Sequence, residues 1–383
     1  MSGHIKTAFS RLALDLGAVC ANYRTIARRV APAACGAVIK ADAYGLGARD
    51  VAPALYDEGC RVFFVAQFSE ALNVTDVLGE DAEIVILNGL EPGAEAACAA
   101  HEFLPVLNAD SQVARWRDLA RAKGTPLPAV LQVDSGMSRL GLDASAAASL
   151  AADPAFAREV PLRLIITHLA CADEPGHAAN AEQSARFRAI RRLFPTVQAS
   201  IANSGGAFLS SAFHCDLVRP GIALYGVQPH SSSILMHPVV RLDARILQIR
   251  EIEAGIRVGY GLDYAAPSRR RIATLGIGYA DGWPRCLGGT GTGTGSAWHA
   301  GQRLPIVGRV SMDSMTIDLT ALAPDALAEG DFVELLGPSQ SLADVARDAG
   351  TIAYEILTRL GTRSERIFAG HQTAAAAALE TVQ

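Results

Sequence analysis

From residue 37 onward, short β-rich apolar runs alternate with longer segments whose apolar positions fall three or four apart. The runs are AVIKA (37–41), VFFVA (62–66), IVILN (84–88), FLPVLN (103–108), AVLQVD (129–134), LRLIITHL (162–169), QASIAN (198–203) and DLVRPGIAL (216–224). Between them stand helix-spaced sets such as Val113, Trp116, Leu119 and Ala120, or Phe187, Ile190, Leu193 and Phe194, bounded by Gly, Pro, Asn or Asp. Nearly continuous apolar runs suit strands covered on both faces, as in a parallel sheet under helices. Strand then helix, eight times over, predicts an α/β fold with a (β/α)8 TIM barrel, and a doubly wound sheet is the competing arrangement.

From about residue 239 the texture changes to strand-like stretches in succession: VVRLDARILQIREI, RIATLGIGYADG, RLPIVGRVSMDSMTIDL and DFVELLG. SLADVARDAG and TIAYEILTRL then read as helices and RSERIF as a last strand. The pattern predicts a barrel domain over residues 1–238 and a mostly β C-terminal domain over 239–383, with about the first ten residues available to pair with the second. The glycine-rich GGTGTGTGSAW (288–298) lacks a lysine and a following helix, so it reads as a hairpin tip and not a phosphate cradle. The alanine-rich tail after His371 reads as a frayed end.

Composition narrows the function. The 383 residues are half apolar and 19% charged, ample for large buried cores. Against 34 basic residues stand 39 acidic ones, a formal charge of −5, where a nucleic-acid binder usually carries a basic excess. No stretch approaches the roughly 18 uncharged apolar residues of a membrane span, and MSGHIKTAFSRLALDL lacks the apolar core of a secretory signal, which points to the cytoplasm. Seven scattered cysteines without C-x-x-C read as reduced, space-filling thiols, and none of the nine histidines has H-x-x-x-H spacing, so no metal is expected.

Candidate chemistry collects at one end of the runs. Lys40, Asn88, Asn108, Asp134, His168, Asn203 and Arg219 sit late in, or just past, an apolar run, which in a barrel brings them to the C-terminal mouth. In AVIKADAYGLG (37–47) a lysine ends a run and a tyrosine follows four residues later. A shielded ammonium needs either an acid partner or a use, such as condensation with an aldehyde as a Schiff base. NSGG (203–206) and RPGI (219–222) place backbone N–H groups after the seventh run and in the eighth, where barrels commonly hold a phosphate; Ser204, Gly221 and Ile222 are the candidate donors.

Taken together, VIKADAYGLG (38–47), VDSGMSRLG (133–141), THLACADE (167–174), ANSGG (202–206), VRPGIALYG (218–226), VGYG (258–261), IGYADGW (277–283), VGRVSMD (307–313) and AYE (353–355) strongly resemble the alanine racemases, nearly end to end. The resemblance implies a pyridoxal 5'-phosphate enzyme, a barrel followed by a β domain, acting as a homodimer. It implies that Lys40 holds the cofactor and serves as one acid/base, while Tyr260 of the partner subunit serves on the opposite face of the substrate. Tyr44, Ser204, Gly221, Ile222 and Tyr354 would hold the phosphate, Arg139 the phenolic oxygen, and Arg219 the pyridine nitrogen. His168 would link the tyrosine to Arg219. Arg139 and the backbone at Met312 of the partner subunit would meet the substrate, and Asp173, Tyr279 and Arg285 would line its entrance. One departure stands out: many relatives carry a carbamylated lysine where this chain has Gln132, so Arg139 must be held otherwise, by the amide itself or by a bound anion such as chloride. Leu46, where many relatives have histidine, is a lesser variation.

These roles are chemically coherent. Racemisation removes a proton from one face of Cα and returns one to the other, so two flanking groups suffice. Lysine and tyrosine ordinarily titrate at about 10.4 and 10, so both need burial or cationic neighbours to work near neutrality. Arginine donates to the pyridine nitrogen without giving up a proton, which leaves the ring a weaker electron sink and disfavours transamination. The expected activity is interconversion of L- and D-alanine, the D form serving peptidoglycan. A broad-specificity or serine racemase, a barrel-type decarboxylase, and a non-catalytic pyridoxal-phosphate carrier are the alternatives; decarboxylases of this type place glutamate at the pyridine nitrogen, and carriers are single barrels.

Overall fold

In the computed structural model, which describes residues 8–230, 234–289 and 295–370, contacts group the chain into two units: residues 18–237, and the stretches around them at 8–17 and 238–370. The first strand, β1 (Ser10–Asp15), belongs to the second unit. Helix α1 (Leu16–Val30) leads into the barrel.

The barrel strands follow the apolar runs. β2 (Ala34–Cys35) and β3 (Ala37–Val38) are one extended stretch divided at Gly36, where a Cβ would stand 2.9 Å from the Phe64 ring and the Val62 carbonyl. β3 is followed in the sheet by β4 (Val62–Val65), β5 (Glu83–Ile86), β6 (Leu104–Leu107), β7 (Ala129–Gln132), β8 (Leu162–Ile166) and β9 (Gln198–Ser200), all parallel and in chain order. The eighth run supplies β10 (Leu217–Val218), parallel to β2. The Asp216 and Arg219 N–H groups donate to Ala199 and Ala202 carbonyls, and the Gly36 and Val38 N–H groups to Val218 and Pro220 carbonyls, so β10 closes the ring between β9 and β2. Phe63, Phe64, Val65, Ile86, Val106, Val130, Leu131 and Ile165 are fully buried because the sheet is covered on both faces.

The outer helices include α2 (Ala48–Asp57), α3 (Phe68–Val74), α4 (Glu95–Ala100), α5 (Asp110–Lys123), α6 (Ala144–Ala151), α7 (Pro154–Glu159), α8 (Ala178–Arg191) and the short α9 (Ser204–Phe208). The spacing argument holds along α5 for Val113, Trp116 and Ala120, which are buried, while Leu119 is half-buried. It holds less far along α8, which buries Phe187 and Ile190 but stops at Arg191, so Leu193 leaves the apolar stripe and is 42% exposed.

In the second unit β11 (Val240–Ile252) pairs antiparallel with β1, with β14 (Arg270–Leu275) and with β18 (Phe332–Leu336). Between them in sequence come the short pair β12 (Arg257–Val258) and β13 (Tyr264–Ala265), then β15 (Ser296–His299), β16 (Gln302–Pro305) and β17 (Met315–Asp318). Helices α10 (Leu342–Ala349), started by a Ser341/Asp344 capping box, and α11 (Ala353–Arg359) precede β19 (Glu365–Ala369). β1 lies inside this sheet, antiparallel to β11 on one side and parallel to β19 on the other. Its Ser10, Leu12 and Leu14 face the core on the alternating pattern of a strand with one buried face. The hairpin tip and the alanine-rich tail fall on residues 290–294 and 371–383, outside the described residues. All seven cysteines are free thiols, and Cys20, Cys60 and Cys98 are buried. Among the described residues no helix is long and apolar enough to cross a membrane.

Candidate active site

Lys40 lies two residues past β3, where the backbone abandons the strand. Ala41, Asp42, Ala43 and Tyr44 all take left-handed helical angles, with φ between 52° and 58°. For residues with a Cβ this conformation costs roughly 1–2 kcal/mol each, so neighbouring contacts must hold it. They are present: the Ala43 N–H donates to the Ile39 carbonyl at 2.8 Å and the Gly47 N–H to the Asp42 carbonyl at 2.9 Å, while Asp42 Oδ1 accepts from the Ala48 N–H at 2.7 Å. Glu70, on α3, takes the Ala41 N–H on Oε1 at 2.8 Å and the Ala66 N–H on Oε2 at 2.6 Å. The carboxylate that caps α3 therefore also fixes the residue after Lys40. Burial chiefly, and then the guanidinium of Arg139, with Arg219 adding to it, hold the Lys40 amine below the ordinary lysine value against the opposing pull of Glu70.

Arg219 comes from just beyond β10 and is 4% exposed. Its Nη1 donates to the Ser200 carbonyl at 2.9 Å and to the Ser200 hydroxyl, and its Nη2 to the Thr167 carbonyl at 2.7 Å. Every one of these acceptors is neutral, and no carboxylate of the described residues pairs with it. Burial lowers its pKa to about 10, which still leaves it charged at neutral pH. His168, just past β8, is pushed down to about 3 by burial first and then by Arg219, Arg139 and Lys40, so the imidazole is neutral. Lys40, Arg139, His168 and Arg219 share one electrostatic neighbourhood at the C-terminal mouth, in which Glu70 is the one carboxylate of the described residues acting on Lys40.

Arg139 stands on an exposed loop after β7. That loop is shaped by Asp134, whose Oδ1 accepts from the Gly136, Met137 and Ser138 N–H groups at 2.8, 3.0 and 3.1 Å. The Gln132 carboxamide is buried, and its Nε2 donates to the Leu140 carbonyl at 3.2 Å. The amide thus grips the backbone one residue beyond Arg139 and leaves the guanidinium without a hydrogen-bond or ion-pair partner among the described residues.

The remaining barrel candidates gather around the start of α9. Ser204 Oγ accepts from the Gly221 N–H at 2.9 Å and the Ala223 N–H at 3.3 Å. The Tyr44 hydroxyl lies 2.2 Å from where a Gly221 Cβ would be, so glycine alone leaves that space to the phenol. The Tyr44 ring packs on buried Tyr225 at 4.9 Å, and the Tyr225 hydroxyl is tied to the Val38 carbonyl at 2.9 Å. Tyr44, Ser204, Gly221 and neighbouring Ile222 thus come together as two hydroxyls and a turn of backbone donors. Asp173 lies on the exposed loop after β8, where Asn180 Nδ2 donates to the Cys171 and Glu174 carbonyls.

The other candidates belong to the second unit. Tyr260 is 71% exposed on a turn flanked by Gly259 and Gly261, both at φ 76°. Met312 is 53% exposed. The Tyr279 and Ala280 N–H groups donate to the Ser311 and Met312 carbonyls at 3.0 and 2.9 Å, an approach that only a glycine at 278 permits. Arg285 begins a short 3-10 turn and Tyr354 lies on α11. Sequence reasoning missed Glu70, Thr167 and Ser200; only the first leaves a local mark, a Gln67-x-x-Glu70 capping pattern at the start of α3.

A parallel barrel that gathers a shielded amine, an uncompensated guanidinium and converging backbone donors at its C-terminal mouth is the architecture of a barrel enzyme. Comparison with known proteins specifies which. The chain belongs to the alanine racemase family: residues 14–229 match the model described as "Alanine racemase, N-terminal domain" and residues 239–368 that for the C-terminal domain. It is 48% identical over 371 residues to alanine racemase of Brucella canis and 50% identical over 356 residues to the catabolic alanine racemase of Rhizobium johnstonii, with 93% of each chain covered in both cases. A crystal structure of alanine racemase from Bartonella henselae with covalently bound pyridoxal phosphate superposes with a TM-score of 0.90 at 46% identity, covering 94% of this chain and 100% of that one.

Proposed function

We propose that the protein is a pyridoxal-phosphate-dependent alanine racemase that interconverts L- and D-alanine in the cytoplasm as a homodimer, supplying D-alanine for peptidoglycan. The observation that carries the reading is the Lys40 amine, shielded and held below its ordinary pKa beside two arginines, neither paired with a carboxylate of the described residues. Such a cluster calls for an electron-rich, anionic guest bearing an aldehyde.

The residues fit that cofactor. Tyr44, Ser204 and the backbone at Gly221 and Ile222 would take the phosphate, with Tyr354 as a further donor. Arg219 would donate to the ring nitrogen, Arg139 to the phenolic oxygen, and Lys40 would hold the aldehyde carbon. When bound, pyridoxal phosphate supplies an electron-withdrawing ring conjugated to the substrate nitrogen, which makes the Cα proton acidic.

The chain's own groups then do the proton work. The depressed Lys40 amine is neutral for a larger fraction of the time than an ordinary lysine, so it can take or return a proton at Cα on one face. Tyr260 of the partner subunit would do the same on the other. What supports this is that Tyr260 is held out from its own unit on a glycine-flanked turn, 71% exposed. Neutral His168 can accept a hydrogen bond without adding a charge to the arginine neighbourhood. Arg139 and the Met312 backbone would meet the substrate carboxylate, and Asp173, Tyr279 and Arg285 would border its route in.

The test is incubation of the purified protein with L-alanine in heavy water, following optical rotation and Cα deuteration, together with borohydride reduction and peptide mapping. Loss of rotation with deuterium at Cα, and a pyridoxyl group on Lys40, are expected. Carbon dioxide release with retained optical activity, or an adduct elsewhere, overturns the reading.

A further inference from the structure

Helix α8 carries a glutamine for which the roles above have no use. Gln183 is 2% exposed, and its carboxamide is spent on the chain just beyond β8. Oε1 accepts from the Ala170 N–H at 2.9 Å, and Nε2 donates to the His168 carbonyl at 2.9 Å and to Ser135 Oγ at 3.3 Å. Taking the carbonyl of one residue and the N–H of the residue two further on is how a neighbouring strand pairs. The side chain thus stands in for a strand where the sheet ends, past the Thr167 N–H, which donates to the Ser200 carbonyl at 3.1 Å. Ser135 Oγ lies 2.8 Å from Thr167 Oγ1, and the Thr167 carbonyl is the acceptor for Arg219 Nη2 at 2.7 Å. One amide is therefore bonded directly to the His168 backbone and, through Ser135 and Thr167, linked to the Arg219 guanidinium. Ser135 also begins the loop that carries Arg139, and Arg186, one turn along α8, donates to the Ser135 carbonyl at 3.3 Å.

We propose that Gln183 is a positioning residue for cofactor binding and proton transfer, fixing His168, Arg219 and the Arg139 loop as one unit from behind the barrel mouth. The inference rests on the reading in which those three residues serve the cofactor. A carboxamide offers two donors and an acceptor in one plane; an ionised glutamate offers acceptors alone and a methionine of similar length neither. A protonated glutamate recovers the acceptor for Ala170 and one of the two donors.

The test compares Gln183→Met, Gln183→Glu and Ser135→Ala with wild type. Trp116→Phe, which removes a buried hydrogen bond to the Leu127 carbonyl at the far side of α5, serves as a matched destabilised control. The measurements are the pyridoxal phosphate dissociation constant of each apoenzyme by fluorescence, and kcat and KM for alanine from pH 6 to 9. Gln183→Met is expected to weaken cofactor binding and lower kcat by about tenfold each at every pH with KM little changed, the size usual for residues that orient binding groups. Gln183→Glu is expected to match it at high pH and to recover part of the lost cofactor affinity as pH falls and the carboxyl protonates. Ser135→Ala, which keeps the helix contact and breaks the link to Thr167, is expected to show a smaller loss in kcat and carries the test if the Gln183 variants fail to fold. Wild-type affinity and kcat in Gln183→Met, a Gln183→Glu to wild-type ratio that does not change with pH, an equal kcat loss in Trp116→Phe, or, where only Ser135→Ala folds, its unchanged kcat each overturn the proposal. Absence of a borohydride adduct on wild-type Lys40 instead overturns the underlying reading.

Discussion

A methyl group at position 221 would collide with the Tyr44 hydroxyl, whose ring is pinned on Tyr225 and cannot retreat freely. Gly221→Ala is therefore expected to displace a phosphate donor and raise the cofactor dissociation constant by about tenfold or more, the worth of one hydrogen bond to a charged group, measured by fluorescence titration of the apoenzyme. His168 makes a prediction about stability. Its folded pKa of about 3 lies below the ordinary value of about 6.5, so between those values the unfolded chain binds the extra proton and stability falls as pH drops through that window. Removing the imidazole should remove that share of the acid sensitivity: His168→Gln apoprotein is expected to lose less melting temperature than wild type between pH 6.5 and 4, and a parallel loss in both would contradict the assignment. At this scale the sequence was informative where a residue's position was already odd. A lysine at the end of an apolar run is costly enough to notice, as is an arginine within one, whereas Ser200 and Thr167 are ordinary strand residues that matter only because Arg219 folds against them.

The eight apolar runs were readable as strands because parallel barrel strands are buried on both faces and leave no alternation to confuse. What escaped was the left-handed turn over residues 41–44. Of Ala, Asp, Ala and Tyr only Asp has any leaning towards it, and the glycines at 45 and 47 mark only its exit. The turn is held by backbone and Asp42 hydrogen bonds that leave no pattern in the sequence, and by one distant group, the Glu70 carboxylate on the Ala41 N–H. This gives Glu70 a testable part. Glutamine has one acceptor oxygen where the carboxylate uses two, so Glu70→Gln must release either Ala41 or Ala66. It also removes the charge that pulls the Lys40 pKa upward. The variant is expected to bind pyridoxal phosphate severalfold more weakly, roughly one hydrogen bond's worth, while its Lys40 reacts with an amine reagent with a midpoint at lower pH than wild type. A midpoint that moved upward would show that Glu70 acts otherwise.

For the whole molecule the sharpest expectation concerns the homodimer. If each site takes Lys40 from one subunit and Tyr260 from the other, Lys40→Ala and Tyr260→Phe proteins are each nearly inactive. Unfolding and refolding them together should restore activity, because half the dimers are mixed and each of those holds one intact site, giving about a quarter of the wild-type rate. No recovery on mixing would mean that both groups come from the same chain. A different consequence follows from β1, which lies between β11 and β19 although some 225 residues separate it from the first and about 350 from the second. During synthesis the barrel can close as soon as residue 220 or so has left the ribosome, yet the interior strand of the second unit's sheet is flanked on both sides only once β19, about 150 residues further along, has been made. Until then β1 carries an unpaired edge, a template for pairing with other chains that a chaperone would shield.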